Sequence, residues 1–144
     1  MKVVVQRVTS SSVKVNNEKV GSINKGLLVL VGFTHDDNID KIKWMVNKII
    51  NLRIFDDEEG IMNKSVLDIG GSILSVSQFT LYADANKGNR PSYINAMKQC
   101  DASLLYDIFN KELKSKINTQ TGIFREDMQV ELVNDGPITI IIEK

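Results

Sequence analysis

GLLVLVGFTHDDNIDKIKWMVNKII, residues 26–50, sets two hydrophobic periods back to back. Its first part, Leu27 to Phe33, is an unbroken apolar run of strand length, the pattern of a strand buried on both faces. From Asp37 the period changes. Ile39, Ile42, Val46 and Ile49 recur three and four apart while Asp40, Lys41, Lys43 and Lys48 take other faces, which predicts an amphipathic helix. Asp36, Asp37 or Asn38 can cap its first amides, and Lys48 and Arg53 lie near its negative end. Trp44, the only tryptophan, flanks the apolar stripe and reads as a packing residue.

Working outward, the segment before this run is strand-rich. Lys2 to Arg7 alternates, with Val3 and Val5 on one face and Val4 and Gln6 on the other. Val13 and Val15 repeat the pattern, and Asn16-Asn17 forms a hairpin turn into Lys19 to Ile23, because asparagine tolerates positive φ. The first third is therefore a small antiparallel sheet. After the helix, Arg53 to Phe55 resumes as a strand, Asp56 to Gly60 is an acidic turn without EF-hand ligand spacing, and Ile61 to Leu67 leads to Gly70-Gly71. Ile73 to Tyr82 is the longest strand candidate. A loop over Ala83 to Pro91 follows, then helices over Ser92 to Gln99 and Asp101 to about Ser115, the second capped by Asp101. Asn118 to Gly122 reads as a turn, and Met128 to Val133 and Ile138 to Ile142 as the last two strands. Mixed α and β with a mainly antiparallel sheet is the expected class.

Composition narrows the functions open to such a chain. Its 144 residues, 42% hydrophobic and 25% charged, suffice for a single domain over 1–144 with a core that needs no staple. The longest uncharged apolar run, Gly26 to Phe33, falls well short of the roughly 18 to 20 residues of a membrane span, and Val3 to Val5 is too short for a signal peptide core. A cytoplasmic protein with no membrane partner is expected. Cys100 and His35 each occur once, so no intrachain disulfide can form. No metal site and no cofactor are expected, since soft metal sites draw mostly on Cys and His. Any imidazole-based catalysis must run through His35, which lies in a polar loop. Lysine plus arginine number 18 and aspartate plus glutamate 18, giving zero formal charge and no broad electrostatic grip on nucleic acid. A nucleic-acid partner must be held by one end or a local patch: Lys87, Arg90, Lys111, Lys114 and Lys116 are candidates, each read on its own as a solvated cation.

Two segments break the local rules. In Ile73 to Tyr82, Ser75 and Ser77 share one face with Phe79 while Gln78 and Thr80 share the other with Val76, mixing polar atoms into a strand that should be buried. A buried polar group without a partner costs about 1 to 3 kcal/mol, so these mark internal hydrogen bonds or a site. Asn134-Asp135-Gly136-Pro137 reads locally as a hairpin loop with a trans bond before the proline.

Taken together, SQFTL at 77–81 and NDGPIT at 134–139 resemble the paired signatures of the D-aminoacyl-tRNA deacylases. The resemblance covers the whole chain through Gln6-Arg7-Val8, Gly26 to Leu30, Asn51 to Phe55, Tyr82-Ala83-Asp84, Lys87-Gly88, Arg90-Pro91-Ser92 and Asp127 to Val130. It implies a three-layer β/β/α sandwich closing toward a barrel. It further implies a homodimer that hydrolyses the ester joining a D-amino acid, or achiral glycine, to the aminoacylated 3′ end of tRNA while sparing L-aminoacyl-tRNA. Ser77, Gln78, Phe79 and Thr80 inherit the pocket floor. Gly136 and Pro137 inherit a cis peptide inserted into the partner subunit's pocket, which replaces the local trans reading. The chain departs from the common pattern at Arg125, where many relatives have glycine, and mildly at Tyr93, where phenylalanine is frequent.

Chemically, ester hydrolysis needs a positioned nucleophile and donors for the oxyanion, and main-chain amides near Gln78, Phe79 and Thr80 suit the second need. Thr80 is the obvious side-chain nucleophile, but the motif contains no base to activate it. A substrate-assisted route is therefore preferred, with the ribose 2′-hydroxyl helping to activate water and Thr80 positioning the ester. Two alternatives stay open. One is a tRNA-independent ester or amide hydrolase using Thr80; the other is a dimeric binding module in which both motifs are structural and the Pro137 bond is trans.

Overall fold

The computed structural model describes residues 1–144. Strands β1 (Lys2–Val15), β2 (Glu18–Ile23) and β3 (Gly26–Gly32) precede helix α1 (Ile39–Ile50). Short strands β4 (Phe55–Asp56) and β5 (Met62–Lys64) pair with each other; β6 (Ser72–Ser77), a 3-10 turn (Phe79–Tyr82), α2 (Gln99–Lys114), β7 (Thr119–Thr121) and β8 (Met128–Glu143) complete the chain. Asn38 caps α1, its side chain accepting from the Lys41 amide at 3.1 Å. The expected change of period at residue 37 thus falls in the turn between β3, which ends at Gly32, and α1, which begins at Ile39.

β1 organises the sheet. It pairs antiparallel with β3 through Lys2–Val8 and with β2 through Ser11–Val15, and along its other edge with β8 over nearly its whole length. Parallel pairing then carries the sheet from β3 to β6 and from β6 to β7. β2 curls back toward β7, close enough that a Cβ on Gly21 would lie 3.0 Å from the Thr121 carbonyl oxygen, so the sheet nearly closes into a barrel. β8 is left with an unpaired outer edge.

Two cores follow from this curvature. Val8, Val13, Ile23, Leu28, Leu74 and Val76 fill the barrel. Val3, Val5, Leu27, Val29, Val31 and Ile73 face the other way, against Ile42, Met45, Val46 and Ile49 of α1 and Tyr106, Phe109 and Leu113 of α2. β3 therefore buries both faces, Leu28 inside the barrel and Leu27 and Val29 beneath the helices, as its unbroken apolar run requires. Gly26 marks where β3 and β6 approach most closely: a Cβ there would fall on the Ser72 carbonyl oxygen, with the Ser72 nitrogen and carbonyl carbon each 2.8 Å away. No helix is long and apolar enough to cross a membrane.

Several expectations are corrected. The strand expected over Ile73 to Tyr82 stops at Ser77 and turns into the 3-10 segment. Ser92 to Gln99 is not a helix. Its backbone is engaged elsewhere, Ser92 exchanging two 2.8 Å hydrogen bonds with Asp84 and the Met97 amide donating to the Phe33 carbonyl at 2.9 Å. α2 begins at Gln99, so Asp101 sits in its first turn and does not cap it. Within the expected Asn118 to Gly122 turn lies β7. Most consequential, Met128–Val133 and Thr139–Glu143 form no hairpin. Both pair with β1 as one strand, and Asp135 to Ile138 bulge out opposite Arg7 alone, since Val8 faces Asn134 and Gln6 faces Thr139.

Candidate active site

Parallel strands β3 and β6 end on the same side of the sheet, and a pocket opens at their carboxyl ends, a usual position for ligand sites in parallel sheets. Val31, Gly32 and Phe33 from β3 and Val76, Ser77, Gln78 and Phe79 from β6 form its floor. Met97, Gln99 and Ala102 at the start of α2 make one wall, and Phe124 to Met128 with Val130 the other. Three of the expected residues, Ser77, Gln78 and Phe79, thus line one cavity. Thr80 does not line it, but is tied to its edge by the Gln78 side-chain amide, which donates to the Thr80 hydroxyl oxygen.

This arrangement fixes the hydrogen-bonding capacity of each group. The Gln78 amide donates to the Val31 carbonyl at 2.7 Å and is therefore committed to the sheet, so it leaves the set of candidate oxyanion donors. In the 3-10 turn, Leu81 donates to the Gln78 carbonyl at 3.2 Å and Ala83 to that of Thr80 at 3.0 Å. Phe79 and Thr80, at the amino end of the turn, have N–H groups outside its own bonds, a position suited to negative charge. Neither an imidazole nor a carboxylate hydrogen-bonds Thr80. His35 is engaged elsewhere, with Nε2 2.8 Å from the Ile94 carbonyl.

The mixed polarity of Ile73 to Tyr82 has more than one cause. Ser75 is fully buried and its hydroxyl has no partner, while its carbonyl accepts the Tyr106 hydroxyl and the Gly122 amide, each at 2.9 Å. Burial pushes the Tyr106 phenol above its ordinary range, and does the same to Tyr82, where Asp37 and Glu143 add to the effect. Ser77 and Gln78 belong to the pocket.

Gly136 and Pro137 lie apart from this pocket, exposed on the bulge of β8. The Gly136-Pro137 bond is cis, and Gly136 has φ 117°, a left-handed conformation that favours glycine. Asn134 ties the bulge from within, accepting from the Ile138 amide at 3.1 Å and donating to the Thr139 hydroxyl at 3.0 Å. Arg7 ties it from outside. Its side chain, only 9% exposed, donates to the Ile54 carbonyl at 2.8 Å and the Asp135 carbonyl at 3.3 Å, and its Nε lies 3.1 Å from the Asp135 carboxylate. No role was expected of Arg7 from the sequence, though a cation on the inward face shared by Val3 and Val5 was a readable signal.

Residues 4–143 match the model of the family described as D-Tyr-tRNA(Tyr) deacylase. The chain belongs to this family. Its members are hydrolases that act on D-aminoacyl-tRNA. Among solved structures, the deacylase chain is similar to the c-Myc DNA Unwinding Element Binding Protein, at 42% identity and TM-score 0.95 over 100% of this chain and 99% of that one. It shares its fold with a structure described as a probable eukaryotic D-amino acid tRNA deacylase, at 18% identity and TM-score 0.84 over 98% and 97% of the two chains.

Proposed function

We propose that this deacylase acts as a cytoplasmic homodimer on D-aminoacyl-tRNA and glycyl-tRNA, with each pocket completed by Gly136-Pro137 of the partner subunit. The observation carrying this reading is the separation of the two motifs: SQFTL lines a pocket, while Gly136-Pro137 stands exposed and outside the pocket of its own chain. The open edge of β8, with Val133 57% and Ile141 67% exposed, supports coverage by a second copy, as does Phe79 at 59% beside the pocket. Exclusion of an L side chain by main-chain groups on the inserted segment is specificity by clash, which leaves the choice among D side chains broad.

In the step itself, water adds to the ester carbonyl carbon, the bond to the ribose oxygen breaks, and free amino acid and tRNA depart. The N–H groups of Phe79 and Thr80 hold the developing oxyanion. Thr80 lacks a base, its hydroxyl oxygen already accepts from Gln78, and it stands at the edge of the pocket, so its part is to help position the ester and not to attack it. Ser77 and Gln78 complete the floor, and the ribose 2′-hydroxyl assists the attacking water. The 42% identical protein is named for binding a DNA element, but a chain of zero net charge gives duplex DNA no broad electrostatic grip.

The test is the rate of amino acid release from D-tyrosyl-tRNA and L-tyrosyl-tRNA, repeated with Thr80→Ala. Rapid loss of the D ester alone is expected, with turnover by Thr80→Ala near that of the parent. Abolition in that variant would make Thr80 the nucleophile, and hydrolysis of neither ester above the buffer rate would overturn the reading.

A further inference from the structure

One group of cations has no role in the chemistry above. Arg125 holds a left-handed backbone with φ 70°, a conformation that costs a residue with a Cβ about 1 to 2 kcal/mol. Its side chain is exposed, lines the pocket and has no carboxylate within ion-pair distance. Strain kept at a pocket rim by an unpaired charge points to a ligand for that charge.

Phe124, next to Arg125, lines this pocket and also a second one on its far side, between α2 and residues 121–123. There α2 contributes Lys111 and Lys114, three apart on one face and both exposed. Neither has a carboxylate partner, whereas Lys116 on the same helix is paired with Glu112 at 3.2 Å. Asp107 also lines the second pocket, and Glu126 and Asp127 the first, so the surface is a line of separate cationic points and not a uniformly positive field.

We propose that Arg125, Lys111 and Lys114 form a track for the phosphates of the tRNA nucleotides just upstream of the terminal ribose, with the strand crossing Phe124 from the first pocket to the second. Which end of the RNA enters rests on the deacylase reading. The track also explains how a chain of zero net charge holds a polyanion: by point contacts beside the reacting end.

The experiment is a fluorescence titration of labelled, uncharged tRNA between 50 and 300 mM salt, comparing the parent with K111Q/K114Q/R125Q and with a control of equal charge, K19Q/K25Q/K43Q. Each phosphate contact on a single strand contributes about 0.7 to the slope of log affinity against log salt, so losing three flattens it by about 2. Near 100 mM salt this corresponds to binding weaker by roughly 10- to 100-fold. The control is expected to keep the parental slope. An unchanged slope in the first variant, or equal flattening in both, would overturn the proposal. Deacylation of D-tyrosyl-tRNA by the parent is scored separately: no turnover with the expected slopes would sink the deacylase reading and leave the track standing.

Discussion

Replacing Arg7 with methionine removes the tie between the β8 bulge and the barrel while keeping most of the side chain's apolar stem beside Phe55. The Ile54 carbonyl, in a residue 7% exposed, loses its 2.8 Å donor, and an unsatisfied buried acceptor costs about 1 to 3 kcal/mol. Asp135 and Asp56, whose side chains are 36% and 50% exposed, can rehydrate, so each adds at most about 1 kcal/mol. The sum is about 1 to 5 kcal/mol. With a urea slope of about 2 kcal/mol/M, the unfolding midpoint at fixed protein concentration should fall by about 0.5 to 2.5 M. Arg7→Lys keeps the charge but not the fork, and should recover about half of the loss. A midpoint for Arg7→Met within about 0.3 M of the parent would refute the reasoning, since an unsatisfied Ile54 carbonyl alone predicts more. Equal loss in both variants would mean that a positive charge alone recovers nothing and that the contribution rests on the fork of the guanidinium.

Other perturbations reach different parts of the structure. Gly26→Ala drives a methyl into the backbone of Ser72 and should destabilise by about 3 kcal/mol or more, read as a lowered urea midpoint. Gln78→Ala frees the Thr80 hydroxyl from its donor and should lower kcat on D-tyrosyl-tRNA by more than Thr80→Ala does, because Gln78 lines the pocket and Thr80 does not. Tyr106→Phe should cost only about 0.5 to 1.5 kcal/mol, since the Ser75 carbonyl retains the Gly122 amide. The Tyr106 phenol is raised in the folded state, so the folded chain holds that proton where the unfolded chain has released it. Its share of stability is complete below about pH 10, the ordinary phenol value, and is lost as pH rises beyond that. Alkaline unfolding should therefore be less steep in Tyr106→Phe than in the parent.

How much of this was legible follows from what each residue needed to know. The change of period at residue 37 is local, and the sequence places β3, α1 and the cap region correctly because Leu27 to Phe33 and Ile39 to Ile49 carry their own signals. Arg7 and the β8 bulge are not local. Asn134 to Pro137 carries the chemistry of a turn, and only the distant β1 ladder converts two apparent hairpin strands into one strand with an outward loop. The helix expected over Ser92 to Gln99 failed similarly, its amides being taken by Asp84 and Phe33. At the site, Ser77, Gln78 and Thr80 stood out as polar residues in an apolar stretch. That the Gln78 amide belongs to the sheet, and so cannot serve an oxyanion, required the position of Val31.

The pairing of β8 with β1 also determines when the molecule can be finished. The Gln6 side chain meets Thr139 across 133 residues of chain, so the ladder closes only after almost the entire polypeptide has left the ribosome. Until then the nascent sheet presents the bare outer edge of β1, a row of peptide groups able to recruit any extended segment nearby. High contact order makes such closure slow, in the millisecond-to-second range typical of non-local β topologies. During that interval the pocket floor on β3 and β6 can form, but the bulge carrying Gly136 and Pro137 cannot. Assembly is thus ordered in time, with the segment proposed to confer chirality arriving last.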